Sequence, residues 1–490
     1  MKRPCQRSAR PIFEEVGVGS SRTNRISDTT SCTASTIQHL AGQRLLCSTA
    51  FSAMRLPSFL PLLLLAIGQL SAQTPVTTPL FWPDKNGPTL NGAVSEADAA
   101  KLPVEWNAAS GKNIVWRLPL ENEGHSTPVI GGDLIWFTSA TKDGKKQWVH
   151  GVNRHTGKMV HDILLFENAN PEELGNPLNN YAAPSCVLDE NSVYAHFGTY
   201  GTARINAATG EKIWERRDIN ARHFRGPGSS PLLYENLIVL TFDGIDQQYV
   251  TALEKDTGKT VWKTARTTDY GDLDAEGKPT RDGDMRKAYH TPIVFNIAGS
   301  PQLISIGSRS AFGYDPATGK ELWNVPHGGF NAAVRPMQLG DMIFINTGAE
   351  RAHLLGIRTD ANMKGNIAST HTVWNHEKRN SSEACAVIRD GKIFQITRGG
   401  ILTVIDAKTG AEVAEGRLAG QHLPSPILSG DKLYFSNDRG VTFIVSADEK
   451  LQTLHENEIG EPFSAGPAVA EGSLYLRSKA ALYRIETKQK

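Results

Sequence analysis

Between residues 114 and 487 the apolar positions come in short runs. They alternate with polar ones at a period of two and break at clusters of Gly, Asp, Asn and Pro. That is the pattern of half-buried strands joined by tight turns, and no long stretch of this span keeps the period of an amphipathic helix. The runs repeat. A phrase made of Pro, a few apolar residues, a Gly/Asp/Asn turn and a second apolar run occurs as TPVIGGDLIWF from Thr127, SPLLYENLIVL from Ser230, RPMQLGDMIFI from Arg335 and SPILSGDKLYF from Ser425. Looser copies begin at Ala183, His290, Cys385 and Gly466. A second phrase lies between them: NRHTGKMV from Asn153, NAATGEKIW from Asn206, KDTGKTVW ending at Trp262, DPATGKELW from Asp315 and DAKTGAEVA from Asp406. An Asp or Asn followed by two residues and Thr-Gly reads as a hairpin corner. The Asx side chain bonds the backbone ahead of it, and Gly takes the positive φ that closes the turn.

The strand after each corner reaches its last-strand position at Trp116, Val160, Trp214, Trp262, Trp323, Trp374, Ala414 and Leu454, at intervals of 40 to 61 residues. Each unit has room for four short strands. Eight such units predict an all-β fold: a single eight-bladed β-propeller of four-stranded antiparallel blades over residues 113–490. The first unit opens with a lone last strand around Trp116 and the final unit stops short of its own. The N-terminal strand is therefore expected to close the ring. The recurring Trp is expected as core between neighbouring blades, its N–H bonded to a nearby carbonyl, rather than as a platform for a ligand.

Ahead of the repeats the pattern changes. Residues 1–53 are rich in Ser, Thr and Arg and carry no strand pattern; they read as a mis-assigned translation start or a disordered leader. The apolar run FLPLLLLAIGQL at 59–70 is too short to span a membrane. With Arg55 before it and LSAQ after it, residues 54–72 read as an export signal. Residues 73–112 form an N-terminal extension. The expectation is a soluble, exported monomer, periplasmic or extracellular, with no transmembrane segment. Beyond residue 72 the chain holds 44 basic and 48 acidic residues, a net charge of about −4, which argues against nucleic acid as a partner. Only Cys186 and Cys385 remain there. They give no disulfide framework, zinc spacing or haem motif, and they fall in opposite units of the ring.

The Asx-x-x-Thr-Gly corner with Trp after it resembles the repeat of PQQ-type quinoprotein propellers over about residues 114–487. The same repeat occurs in the propeller lipoprotein of the bacterial outer-membrane barrel-assembly machinery, which binds no quinone. FWPDKNGPTLNG at 81–92 resembles an N-terminal element of secreted propellers of this family. For the enzyme branch the resemblance implies a quinone held between a Trp floor and a disulfide of adjacent cysteines, beside calcium and a catalytic Asp. This sequence has no adjacent cysteines and no assignable Trp floor or calcium set. Neither PQQ nor calcium is expected as a cofactor, and no catalytic or metal residue is assigned. Asp272, Asp274 and Glu276 echo the start of a calcium loop, but Gly283 stands where the closing Glu belongs, so the stretch reads as a solvated acidic loop. Asp243 with Asp246, and Asp282 with Asp284, read as chance pairs.

In the resembled family the Pro-containing strand is innermost. The residues just ahead of it should then ring the channel mouth: His125, Tyr181, Tyr289, His290, Arg335, Glu383 and His422. Such a set suits a sugar or an acidic ligand; the alternative is that it solvates the pore or caps strand ends. Long insertions from Glu167, Arg216 and Thr264 should emerge on the same face and make it a recognition surface. The reading is a secreted binding or scaffold module for a protein or carbohydrate, without quinone. The alternatives are a PQQ-dependent dehydrogenase, or a polysaccharide lyase or hydrolase with mouth His and Glu as acid and base.

Overall fold

The computed structural model describes residues 78–488, apart from 279, 281, 282, 350 and 351. They lie in one compact unit, residues 73–490; the readings of residues 1–53 and of the apolar run at 59–70 fall outside the described residues. Eight sheets form the ring, each with four antiparallel strands, and Gly365–Asn366 adds a short parallel pairing to the outer strand of blade 4. Blade 3 shows the plan, with Leu232–Tyr234, Leu237–Asp243, Gln248–Glu254 and Thr260–Ala265 paired in that order. Every residue of Leu237–Asp243 is buried, whereas the last strand is mostly exposed. A middle strand is covered on both faces by neighbouring blades, so it is mostly apolar, while the rim strand meets water.

Closure is as the truncated last unit predicts. Ile114–Pro119 pairs antiparallel with Ala481–Ile485, Trp116 opposite Arg484, and becomes the outer strand of blade 8. No blade is left with an unpaired inner partner at the seam.

Both repeated phrases have a physical reason. In the corner, Asn153 Oδ1 accepts from Thr156 N at 2.9 Å and Asp315 Oδ1 from Thr318 N at 3.0 Å. The corner Gly of one blade then lies under the Trp of the blade before it. Trp116 covers Gly157, Trp214 covers Gly258, Trp262 covers Gly319 and Trp374 covers Gly410. Each indole N–H donates to a backbone carbonyl of that same corner region, at 2.8 to 3.1 Å. A Cβ on Gly319 would lie 2.4 Å from the Trp262 ring, so the phrase is an inter-blade lock in which Gly is required.

The Pro phrase builds a second lock around the channel. Thr127 N donates to Ser185 Oγ (2.8 Å), Ser185 N to Ser230 Oγ (2.9 Å) and Ser230 N to Thr291 Oγ1 (3.1 Å). Gly466 N donates back to Thr127 Oγ1 at 3.1 Å. Cys385 takes the hydroxyl's place in blade 6, its Sγ accepting from Arg335 N at 3.4 Å while its own N–H donates to Ser425 Oγ at 3.0 Å. Cys186 and Cys385 are both buried and unbonded.

The repeat also departs from the sequence reading. In blade 1 the ring over the next corner is His161, against Gly210, and Val160 points to solvent. In blade 7 the corresponding side chain is His455 rather than Leu454, which is exposed. A one-residue slip along a strand exchanges its two faces. In blade 3 the corner place is held by Glu254, bonded to Thr257 Oγ1, and Asp256 pairs instead with Arg204 at 2.8 Å. Blade 5 lacks the Thr-Gly corner, so Trp323 has no such partner. It turns onto its own sheet and donates to Gln302 Oε1 at 2.7 Å.

Candidate functional site

The N-terminal segment decides the shape of the channel. Leu80–Trp82 adds a fifth strand to the inner edge of blade 1, on Val129–Gly131. The chain then turns tightly, with Gly87 N donating to Asp84 O and Gly92 N to Asn86 O, both at 2.8 Å. Along this turn it meets one inner strand after another. Pro83 O accepts from Leu188 N in blade 2 (2.9 Å), and Gly92 O and Val94 N bond Leu428 in blade 7 (2.9 and 2.8 Å). The Asp84 carboxylate forms a two-pronged ion pair with Arg335 of blade 5, at 2.5 and 2.9 Å, and both groups are buried. The segment is a plug seated in the channel from the face that carries the corners.

Above the plug lies the mouth, a cavity of about 340 Å³. Every blade contributes to its wall, from His125 in blade 1 to Ser464 in blade 8, and Lys85 of the plug lies at its base. Of the three Lys and Arg side chains among its described lining residues, two are engaged. Arg225 pairs with Asp284 at 2.6 Å, and Arg398 stands 3.9 Å from Glu383. Lys85 has no carboxylate partner among the described residues, and it shares the lining with polar groups such as Asn179, Asn331 and Ser382. Burial alone would push the neighbouring Cys385 thiol up. The Lys85 cation, the Ser425 hydroxyl and Arg335 outweigh it and hold the thiol below its ordinary value.

Three of the seven residues read from the sequence, His125, Tyr289 and Glu383, line this mouth. His125 also borders a neighbouring recess of about 800 Å³ beneath the 171–181 loop. Burial, with Lys479 and Arg477 nearby, pushes its imidazole down to about 3. Tyr181 lies in that recess, its hydroxyl donating to Glu172 O at 2.8 Å. The other three are packed inside. His290 Nε2 accepts from Ile306 N at 2.8 Å, Arg335 anchors the plug, and His422 is buried with its Nε2 3.2 Å from Ala419 O. Being next to the inner strand sets the level of a residue but not its side: alternate residues face the channel or the neighbouring blade. The sequence reading missed Lys85, whose signal was the Gly- and Pro-rich turn at 81–92, and Arg225 and Arg398, which lie on loops.

The other acidic candidates are accounted for. Asp272 is buried in an ion pair with Arg286, and Asp274 Oδ1 bonds its own turn through Lys278 N at 2.7 Å. This corrects the reading of a wholly solvated loop. Asp243 forms a buried two-pronged pair with Arg266, while Asp246 accepts from Arg222 N at 2.7 Å. Asp282 lies outside the described residues. No group of three or more His, Cys, Asp or Glu side chains that could hold a metal ion occurs among the described residues. The residues at the mouth do not fit a quinone held between a Trp and adjacent cysteines: among the described residues its lining includes no Trp, and Cys385 is followed by Ala386.

Comparison with known proteins agrees with this architecture. The family model of outer membrane protein assembly factor BamB matches residues 91–223, 164–311 and 246–490. A tetrathionate hydrolase of Acidithiobacillus ferrooxidans is 24% identical over 406 residues, covering 75% of this chain and 73% of that protein. BamB from Moraxella catarrhalis superposes with a TM-score of 0.52 at 12% identity, over 76% of this chain and 99% of that one. The quinohemoprotein alcohol dehydrogenase of Comamonas testosteroni gives 0.58 at 13% identity, over 84% and 81%. At these identities the two structures speak to the fold alone.

Proposed function

This chain belongs to the PQQ-like repeat propellers of the outer membrane protein assembly factor BamB family, and we propose that it is a binding module rather than a quinone oxidoreductase. Its ligand is a protein or carbohydrate that presents an acidic group to the channel mouth. The observation that carries this reading is Lys85, a cation without a carboxylate partner among the described residues, at the base of a cavity whose walls come from all eight blades. A carboxylate entering there gains a charge-assisted hydrogen bond in a partly desolvated setting, with Asn and Ser groups to orient it. Tyr289 offers an aromatic surface to a sugar ring or apolar side chain, and burial raises its phenol above the ordinary range, so it stays a neutral donor. Export to the periplasm or the cell exterior is part of the same proposal and rests on residues 54–72.

A second reading is hydrolysis of a small anion at the same mouth, favoured by the relative named tetrathionate hydrolase. The test is calorimetric titration with trigalacturonate and its uncharged methyl ester, and with an acidic peptide and its amide. PQQ with calcium, followed by gel filtration, and tetrathionate turnover are run alongside. The binding reading expects acidic members to bind, their neutral forms not to, and salt to weaken the association. Retained stoichiometric quinone with dye reduction overturns it in favour of a dehydrogenase. Tetrathionate turnover favours the second reading.

A further inference from the structure

A second cleft lies on the side of the ring, where blade 8 meets blade 1. It has a volume of about 380 Å³ and owes nothing to the mouth. Blade 1 presents one face of its sheet there. Phe137 and Ser139 alternate along Leu134–Ala140, and Trp148 and His150 stand opposite them on Lys146–Asn153. Asp162 stands opposite His150 on Met159–Glu167. Side chains directly opposite in an antiparallel pair share a face, so the register brings a hydroxyl, an imidazole and a carboxylate together across three strands.

The distances have an order. Ser139 Oγ is 2.6 Å from His150 Nε2, and His150 Nδ1 is 3.0 Å from Asp162 Oδ1. The second contact is off the N–H direction, so the carboxylate lies against the edge of the ring without a well-aligned hydrogen bond. Asp162 is largely exposed while Ser139 and His150 are buried at the inner end of the cleft. Burial pushes the imidazole down to about 4; Asp162 opposes this and Arg477 of blade 8 reinforces it. The ring is therefore neutral at pH 7, with Nε2 able to take the proton of Ser139. Leu120, Phe137, Trp148 and Met159 give the cleft apolar walls, and Asn122 supplies an amide at its edge.

We propose that Ser139, His150 and Asp162 form a second, acyl-transfer site that hydrolyses small carboxylic esters with an apolar acyl group. Ser139 Oγ attacks the ester carbonyl while its proton passes to His150 Nε2. The C–O bond to the alcohol breaks, and the alcohol leaves with that proton. Water then attacks the acyl-serine ester, giving a proton to His150, and Ser139 leaves and takes that proton back. Ester and water become acid and alcohol, with no other reactant. Asp162 acts as a positioning residue through His150, and the Asn122 amide and Trp148 indole are the donors in the cleft for the oxyanion.

The full chain is incubated with a fluorophosphonate probe, digested and mapped, and p-nitrophenyl butyrate turnover is followed in parallel. The expected result is one label per chain, on Ser139, with turnover falling about 100-fold or more in both S139A and H150Q. Cooperative unfolding is recorded for each variant. D162N, at the exposed end, tests the site without disturbing the core and should slow labelling about tenfold with its melting unchanged. Failure to label Ser139 in the folded wild-type chain overturns the proposal. So does label or turnover that S139A leaves intact, or a D162N variant that labels at the wild-type rate.

Discussion

The two ends of the channel are built on different principles. At the corner end, the same Asx-x-x-Thr-Gly turn recurs, Trp from one blade covers Gly of the next, and a plug from the N-terminus fills the opening. At the mouth end, the connections differ in length and sequence, three are long insertions, and the wall mixes His, Tyr, Asn, Arg, Ser, Glu and apolar side chains. Repetition holds neighbouring blades at a fixed spacing, which is what stability requires. The irregular end is then free to differ from blade to blade, which is what recognition requires. Lys85 joins the two: it belongs to the plug but reaches the mouth.

The sharpest way to break this comparison is to remove the seal. Deleting residues 112–120 strips blade 8 of its outer strand and opens an edge. The expected loss is comparable to the whole folding free energy, about 5–15 kcal/mol. Urea unfolding should show no cooperative transition; a normal transition would mean that the ring closes elsewhere.

Acid should act next. His196 is buried beside Thr202 Oγ1 at 2.7 Å, and burial pushes its pKa to about 3; His290 is pushed well below its ordinary value for the same reason. In the unfolded chain both take a proton near pH 6.5, whereas in the fold they resist it. The unfolded state thus binds more protons below pH 6.5, and stability must fall as pH drops through the window from 6.5 towards 3. His196 alone contributes on the order of 4 kcal/mol across that window. A stability curve flat from pH 7 to 4 would contradict its burial as a neutral group.

Asp84→Ala leaves the Arg335 guanidinium buried without its carboxylate and should cost about 3–5 kcal/mol. Replacing both partners by Leu and Met should cost much less. With the plug loosened, Cys385 should react with a thiol reagent faster than in the wild-type chain, a readout specific to the channel.

The corner lock is tested by two glycines. Gly319→Ala puts a methyl group against Trp262 at a positive φ of 71° and should cost about 3 kcal/mol. Gly340→Ala has a similar φ of 58° but nothing within 4 Å, so only the backbone strain remains, about 1 kcal/mol. Equal losses would show that the Trp contact contributes nothing.

What the sequence made legible divides along the same line. Blade number, strand pairing at Trp116 and the role of the Trp rings followed from repetition, because a repeated phrase reports a repeated contact. The faces of last strands without Trp did not follow. A one-residue slip separates His161 from Val160 and His455 from Leu454, and an apolar residue at the rim looks like core when only its chemistry is known. The mouth was half legible. His125, Tyr289 and Glu383 were found by their place before an inner strand, but the same rule selected His290, Arg335 and His422, which point into the blades or the plug. Lys85 was missed: the Gly- and Pro-rich turn at 81–92 signals a turn, but the place of that turn in the channel is set by contacts with blades 2, 5 and 7, far along the chain.

The most direct test of the central claim is the affinity of the chain for trigalacturonate with and without the Lys85 charge. Lys85→Met should leave urea stability within about 0.5 kcal/mol, as expected for a side chain without a structural partner. It should weaken binding by about tenfold or more and flatten the salt dependence. Unchanged affinity and salt dependence in the variant would contradict the account and remove the plug from the site.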